Sequence, residues 1–255
     1  MPASVHQKSF VLTVAESKRL IARAVKAHPL VTRALNEGVV AVAKGTTNAY
    51  VAEELLARGL HRHHYCTGVT TPPGREGPAP TANKLPDAVL RHGDPVEDVS
   101  ATEIVHEMGP GDVFIKGANA LNYEKKQAGI LIGHPTGGTI GQAIGTVVAR
   151  RATLLIPVGL EKSIPGDLHD IYGELTRVGP GGDGPTLWPI DGMIFTEVEA
   201  LRLFMSGGRA APMGAGGVAG AEGSVRISVW GSSEHIARAE GAVESVRGEP
   251  PFVEP

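Results

Sequence analysis

The sequence predicts an α/β protein built on a doubly wound, mostly parallel sheet. Short, wholly apolar runs of strand length predict it, together with glycines at the exits of those runs and stretches of helical period between them. The chain has 255 residues, 42% hydrophobic and 20% charged, which suits one large domain or a large domain with a small appendage. Its 34 glycines against 4% aromatics imply many tight turns and a core of Val, Ile, Leu and Ala.

The elements follow in order. Residues 14–36 read as helix, with Leu20, Ile21, Ala24, Val25 and Ala27 at helical spacing among Lys18, Arg19, Arg23 and Lys26, and with Pro29 interrupting. Asn36-Glu37-Gly38 stops it, and Val39 to Ala43 is an apolar run typical of a buried parallel strand. Lys44 to Asn48 forms a glycine turn ahead of a helix over Ala49 to Arg58. The unit then repeats: a strand over Asp112 to Lys116 ends at Gly117-Ala118-Asn119, and Ala128 to Ile132 is extended. Gly133 to Thr139 opens a helix through Val148, and Ala152 to Val158 is another strand.

Pro72 to Pro80 and Gly179 to Pro185 read as loops. The second divides the chain into a Rossmann-like α/β ligand-binding domain, 1–185, and a small α+β subdomain, 186–255, expected to close over the site. In the latter, Thr196 to Met205 is a helix with a capping box of Thr196 and Glu199. Strands near Ala210 to Ala215 and over Ser224 to Trp230 precede a helix from Ser232 or Ser233 to about Val246.

The totals exclude several classes. A net charge of −3 argues against a nucleic-acid binder, which is normally basic. A lone cysteine, Cys66, rules out a disulfide framework and fits a reducing compartment. Residues 1–30 lack a signal-peptide pattern, and no apolar run reaches the roughly 20 residues of a membrane-spanning helix, so a cytoplasmic protein without nucleic-acid or membrane partners is expected.

Ligands of open α/β sheets bind outside the carboxyl ends of the strands, where the glycine loops fall. Gly45-Thr46-Thr47-Asn48 offers backbone N–H groups, a helix dipole and side-chain donors to an anion; a helix cap uses the same groups. Lys116-Gly117-Ala118-Asn119 with Asn122 places a cation and amides at a strand end, or simply a turn. Gly133 to Gly141, with Thr136, Gly137, Gly138 and Thr139, is a third cradle, in which His134 is an acid/base group or an exposed loop histidine. No lysine follows its glycines as a Walker motif requires.

The helix, apolar strand, Gly-Thr-Thr loop and helix over residues 18–58 resemble the opening of ribose-5-phosphate isomerase, whose strand–Gly-(Thr/Ser)-Gly-Ser-Thr–helix loop holds the sugar phosphate. Ile115 to Asn119 resembles the Gly-Ala-Asp segment of the same superfamily, which includes glucosamine-6-phosphate deaminase, sugar-binding regulator domains, initiation-factor-like isomerases and CoA transferases. The resemblance spans roughly residues 18–160. It implies a small anionic substrate, no cofactor, a homo-oligomer, and an aldose–ketose isomerisation by proton transfer, with Lys116, Asn119 and Thr46 to Asn48 binding and polarising. A non-catalytic sugar-phosphate-binding regulator and an acyl-CoA enzyme with a glutamate nucleophile are the alternatives it leaves open.

Where those isomerases carry acids, this chain has Asn119 and Asn122, and amides cannot be the base. Glu161, Asp167, His169, His134 and Glu222 are the remaining candidates, Glu161 or Glu222 also serving the nucleophile reading. His61-Arg62-His63-His64-Tyr65-Cys66, read as a strand, sets His61 and His63 on one face and His64 and Cys66 on the other. Either pair suits a divalent metal with help from His92, His106, His134 or His169; sheet-edge or interface histidines are the other reading. Gly214 to Gly223 fails as a dinucleotide fingerprint because a strand follows it; it reads as a hinge or close approach to a ligand, or as a solvated turn.

Overall fold

The structure is a computed structural model and describes residues 5–71, 73, 84–178 and 184–252. Most of both expected loops, at Pro72 to Pro80 and Gly179 to Pro185, lies outside those residues. The elements are β1 (His6–Leu12), α1 (Val14–Ala27), α2 (Pro29–Glu37), β2 (Val39–Val42), α3 (Thr46–Leu56), β3 (Ala88–Arg91), β4 (Asp94–Pro95), α4 (Ala101–Ile104), β5 (Val113–Ile115), β6 (Ala120–Asn122) and β7 (Gln127–Ile132). They continue with α5 (Gly138–Ala149), β8 (Thr153–Pro157), α6 (Leu168–Arg177), β9 (Thr186–Ile190), β10 (Met193–Phe195), α7 (Glu197–Met205), β11 (Arg209–Ala215), β12 (Val225–Gly231) and α8 (Ser233–Glu244).

A six-stranded, mostly parallel sheet in the order β10-β8-β5-β2-β3-β4 is the centre of this mixed α/β fold. β10, β8, β5 and β2 run parallel, while β3 and β4 are antiparallel. β2 and β5 are buried at every residue, as strands covered on both faces must be. The β3–β4 hairpin turns through His92 and Gly93, both at positive φ, which matches the twist of the paired strands. At the start of β2 only glycine fits at 38, since a Cβ would come within 2.3 Å of Asp112, whose Oδ1 accepts the Val39 N–H.

The helices form where the caps and periods say. Thr13 and Glu16 make a capping box for α1, and Pro29 sits in the first turn of α2, dividing the expected 14–36 helix into two. Thr196 with Glu199 and Ser232 with His235 cap α7 and α8. α3 begins at Thr46, ahead of the expected Ala49.

Several expectations are corrected. β7 does not join the parallel sheet; it pairs antiparallel with β6 and β9, because the tight Tyr123–Lys126 turn is too short for a parallel crossover. Residues 62–65 form one turn of 3-10 helix, so the alternating faces expected of a strand at His61 to Cys66 do not exist. The pairing also crosses the boundary placed at residue 185. β9 and β10 enter sheets begun earlier, and β11 and β12 form an antiparallel sheet with β1 from the other end of the chain. One hydrophobic cluster runs through both parts, from Phe10 to Val246. No helix among the described residues is long and apolar enough to cross a membrane.

Candidate functional site

The four parallel strands deliver their following loops to one edge of the sheet. After β2 comes Ala43 to Thr46, after β5 Lys116 to Asn119, after β8 Val158 to Lys162, and after β10 Thr196-Glu197. A cleft of about 530 Å3 opens beside the first two loops, lined by Thr67, Gly68, Lys84, Lys116, Asn119, His134, Gly137, Gly138 and Thr139. A narrow extension carries Gly45, Thr46, Thr47, Gly117 and Lys162. Thr67, Gly68, Lys116 and Asn119 are shared by the two, with Gly45 to Thr47 on the extension and Gly137 to Thr139 on the main cleft.

Lys116 is the central cation. Among the described residues its Nζ hydrogen-bonds the neighbouring Gly117 carbonyl alone, at 3.4 Å. Burial, reinforced by Lys162 and opposed by Asp87, pulls it down to about 8. Lys84 joins it on the cleft wall, a residue that sequence reasoning missed because it stands in a stretch without periodicity. α5 presents its N-terminus here without a side-chain cap, through Gly137 and Gly138 at positive φ. Such an uncapped end is a site for an anion. Only glycine fits at 141, where a Cβ would lie 2.4 Å from the Thr136 carbonyl. His134 lines the cleft with its Nδ1 against the N–H and hydroxyl of the exposed Thr136.

The amides are committed elsewhere. Asn119 donates to Gly68 O at 3.1 Å and accepts from Leu131 N at 3.1 Å, so its amide braces the cleft wall it lines. Asn48 donates to Ala43 O and ties the ends of β2 and β5; its Oδ1 and the Thr47 hydroxyl are buried and have no hydrogen-bond partner among the described residues. Asn122 bonds Gly166 O and Lys125 N, outside the cleft, so its placement is that of a turn residue.

Behind the cleft floor lies a charged cluster. Glu161 folds back over Gly159, where a Cβ would sit 1.8 Å from its Oε2. Both of its carboxylate oxygens are buried without a hydrogen-bond partner among the described residues. Glu197 is fully buried and accepts the Leu160 N–H; burial and the charge of Glu161 hold its carboxyl well above the usual range. Lys18, also buried, is pulled down by desolvation against the attraction of Glu161, Cys66 and Glu197. Lys162 donates to Ala118 O at 2.7 Å, and burial lowers it too. Cys66 is pushed up to about 11 by burial and contacts Arg62 O, so its thiol is not poised as a nucleophile. Glu161 is therefore beneath the cleft and not on its wall. Lys18 and Glu197 went unread in the sequence because one resembles a helix-surface cation and the other a first-turn acid.

The remaining candidates lie apart. Glu222 sits on the connection between β11 and β12, exposed and bonded to Gly220 N, away from the cleft. Asp167 caps α6, and Lys125 with the helix N–H groups holds it far below the usual carboxylate range, which makes it a poor base. His169 is exposed. The rings of His61, His63 and His64 cluster, the closest pair 4.0 Å apart, yet among the described residues no group of three or more His, Cys, Asp or Glu side chains is arranged to hold a metal. No described residue after 185 lines the cleft; that part approaches it through Trp188, packed against Gly137. Comparison with protein-family models, with curated proteins and with solved structures gave no match.

Proposed function

We propose that the chain is an enzyme acting on a small phosphorylated or carboxylated metabolite held in the 530 Å3 cleft. The observation that carries this reading is the convergence of Lys84, Lys116 and the uncapped N-terminus of α5 on one cavity beyond the ends of the parallel strands. Cations and free backbone N–H groups together favour a ligand with concentrated negative charge. The reaction is an aldose–ketose type of isomerisation. Lys116, with a pKa near the working range of an acid–base group, and His134, on the same wall, would move the proton next to the carbonyl, and Lys84 would hold the anionic end. On this reading the six-stranded sheet is doubly wound and Rossmann-like, no cofactor takes part, and the protein works as a cytoplasmic homo-oligomer.

A non-catalytic sugar-phosphate sensor is the second reading. It is favoured by Asn119, whose amide is bonded at both ends and is not free to polarise a carbonyl. One experiment separates the two. A panel of sugar phosphates, phosphorylated acids and CoA esters is screened by thermal shift against the protein and Lys116→Met, and each binder is then incubated in D2O and followed by NMR. The enzyme reading expects a stabilising ligand, loss of that stabilisation in Lys116→Met, and enzyme-dependent deuterium exchange beside the carbonyl. Stabilisation without exchange would establish the sensor; no stabilisation by any phosphorylated or carboxylated compound sinks both.

A further inference from the structure

A second cavity, of about 330 Å3, lies away from the cleft, between the N-terminus of α1, Tyr50 of α3, the β11–β12 connection and the segment ending at Phe252. Its volume is in the range of small-molecule sites. Two polar groups on its wall complete no hydrogen bond among the described residues. Lys18 is only 7% exposed and its ammonium makes no hydrogen bond, its nearest ring being that of Phe252 at 5.9 Å. Tyr50 is 0% exposed, and its hydroxyl, beside the Arg62 guanidinium that covers the ring, completes no hydrogen bond among the described residues. Buried donors of this kind are rarely left unmade, because each forfeits the hydrogen bonds it had in water.

The surroundings define what would satisfy them. Thr13, Val14 and Ala15 begin α1, so the N–H groups of Val14 and Ala15 have no acceptor within the helix and its positive end faces the cavity. Val14, Ala15, Pro251 and Phe252 supply an apolar wall. Two carboxylates are also present. Glu249 is neutralised by Arg19 at 3.0 Å and Arg62 at 2.7 Å, and Glu222 is exposed and bonded to Gly220 N. Among the described residues that line the cavity, the one cation is thus Lys18, which has carboxylates on its inner side and apolar surface beside it. That combination suits one carboxylate on an apolar body better than a polyanion.

We propose that this cavity is a second ligand site, which binds a small apolar monocarboxylate through Lys18 and Tyr50. The inner side of Lys18 faces Glu161, Glu197 and Cys66, so occupancy would bear on the cluster beneath the cleft.

The test uses benzoate as the probe, with its affinity measured by ligand-observed NMR titration of the full chain. Lys18→Met should weaken binding about tenfold or more, the worth of a charge-assisted hydrogen bond, and Tyr50→Phe by a smaller factor. Tyr50→Phe keeps the ring that Arg19 and Arg62 cover, so it serves if Lys18→Met fails to fold. Lys116→Met, altered in the cleft, should leave benzoate binding unchanged, which keeps this site separable from the cleft. Three results would overturn the proposal: no saturable benzoate binding, binding indifferent to Lys18→Met or Tyr50→Phe, or inorganic phosphate displacing benzoate at equal concentration.

Discussion

Glu197, at the start of α7, accepts the backbone N–H of Leu160 through both carboxylate oxygens, at 3.0 and 3.2 Å, and so fixes the turn that carries Glu161. Burial and the neighbouring Glu161 hold Glu197 well above its ordinary value of 4.5. A carboxyl raised in the folded state binds a proton the unfolded chain has lost, so its contribution is full below the unfolded value and disappears as pH rises through the folded one. Stability should therefore fall by a few kcal/mol between the ordinary carboxylate range and the raised value. Glu197→Gln should flatten that decline, as measured by urea unfolding across pH. An equally steep decline in the variant would show that Glu197 is not its source.

Arg19 and Glu53 form a buried pair at 2.5 Å, extended by Arg62 and Glu249. Removing one partner strands a buried charge. Glu53→Ala should cost about 3 kcal/mol, whereas Arg19→Met combined with Glu53→Leu should recover part of it. Midpoints of denaturant unfolding decide the comparison, and a Glu53→Ala cost below about 1 kcal/mol would assign the pair a surface-like role.

Tyr65 is fully buried, donates to Val42 O at 2.5 Å and accepts from Ala88 N at 2.8 Å, joining β2 to β3. Tyr65→Phe leaves both backbone groups unpaired, at about 1–3 kcal/mol each. Amide exchange should quicken at Ala88 first, with β5 little changed.

Gly141 lets the first turn of α5 pass the Thr136 carbonyl. Gly141→Ala should displace the Gly137–Thr139 end of the cleft and weaken the binding of phosphorylated ligands. Its stability cost of about 1–3 kcal/mol is that of overpacking. A variant that unfolds earlier yet binds phosphate compounds with unchanged affinity would remove α5 from the site.

Much of the fold was legible. Val39 to Val42, Val113 to Ile115 and Thr153 to Pro157 are strands buried in the parallel sheet, and the apolar runs announce them. Thr196, Pro29 and Gly38 mark helix ends by their own chemistry. The strand β1 and the short strands β4 and β6 were not legible, since their residues carry no distinctive pattern. The cleft was half legible: Lys116, His134 and Gly137 to Thr139 stand in glycine-marked loops, but Lys84 does not.

The sequence alone determined where strands end, where helices are capped and which loops can turn tightly, because those preferences belong to a residue and its near neighbours. Only the tertiary structure decided the fate of the charges. Lys18 and Arg19 share a helix with exposed Lys26, yet both are buried, one against Glu161 and Glu197, the other against Glu53 and Glu249. Whether an ionic side chain lies in water or inside depends on partners more than 30 residues away, which pack beside it only when the sheet forms.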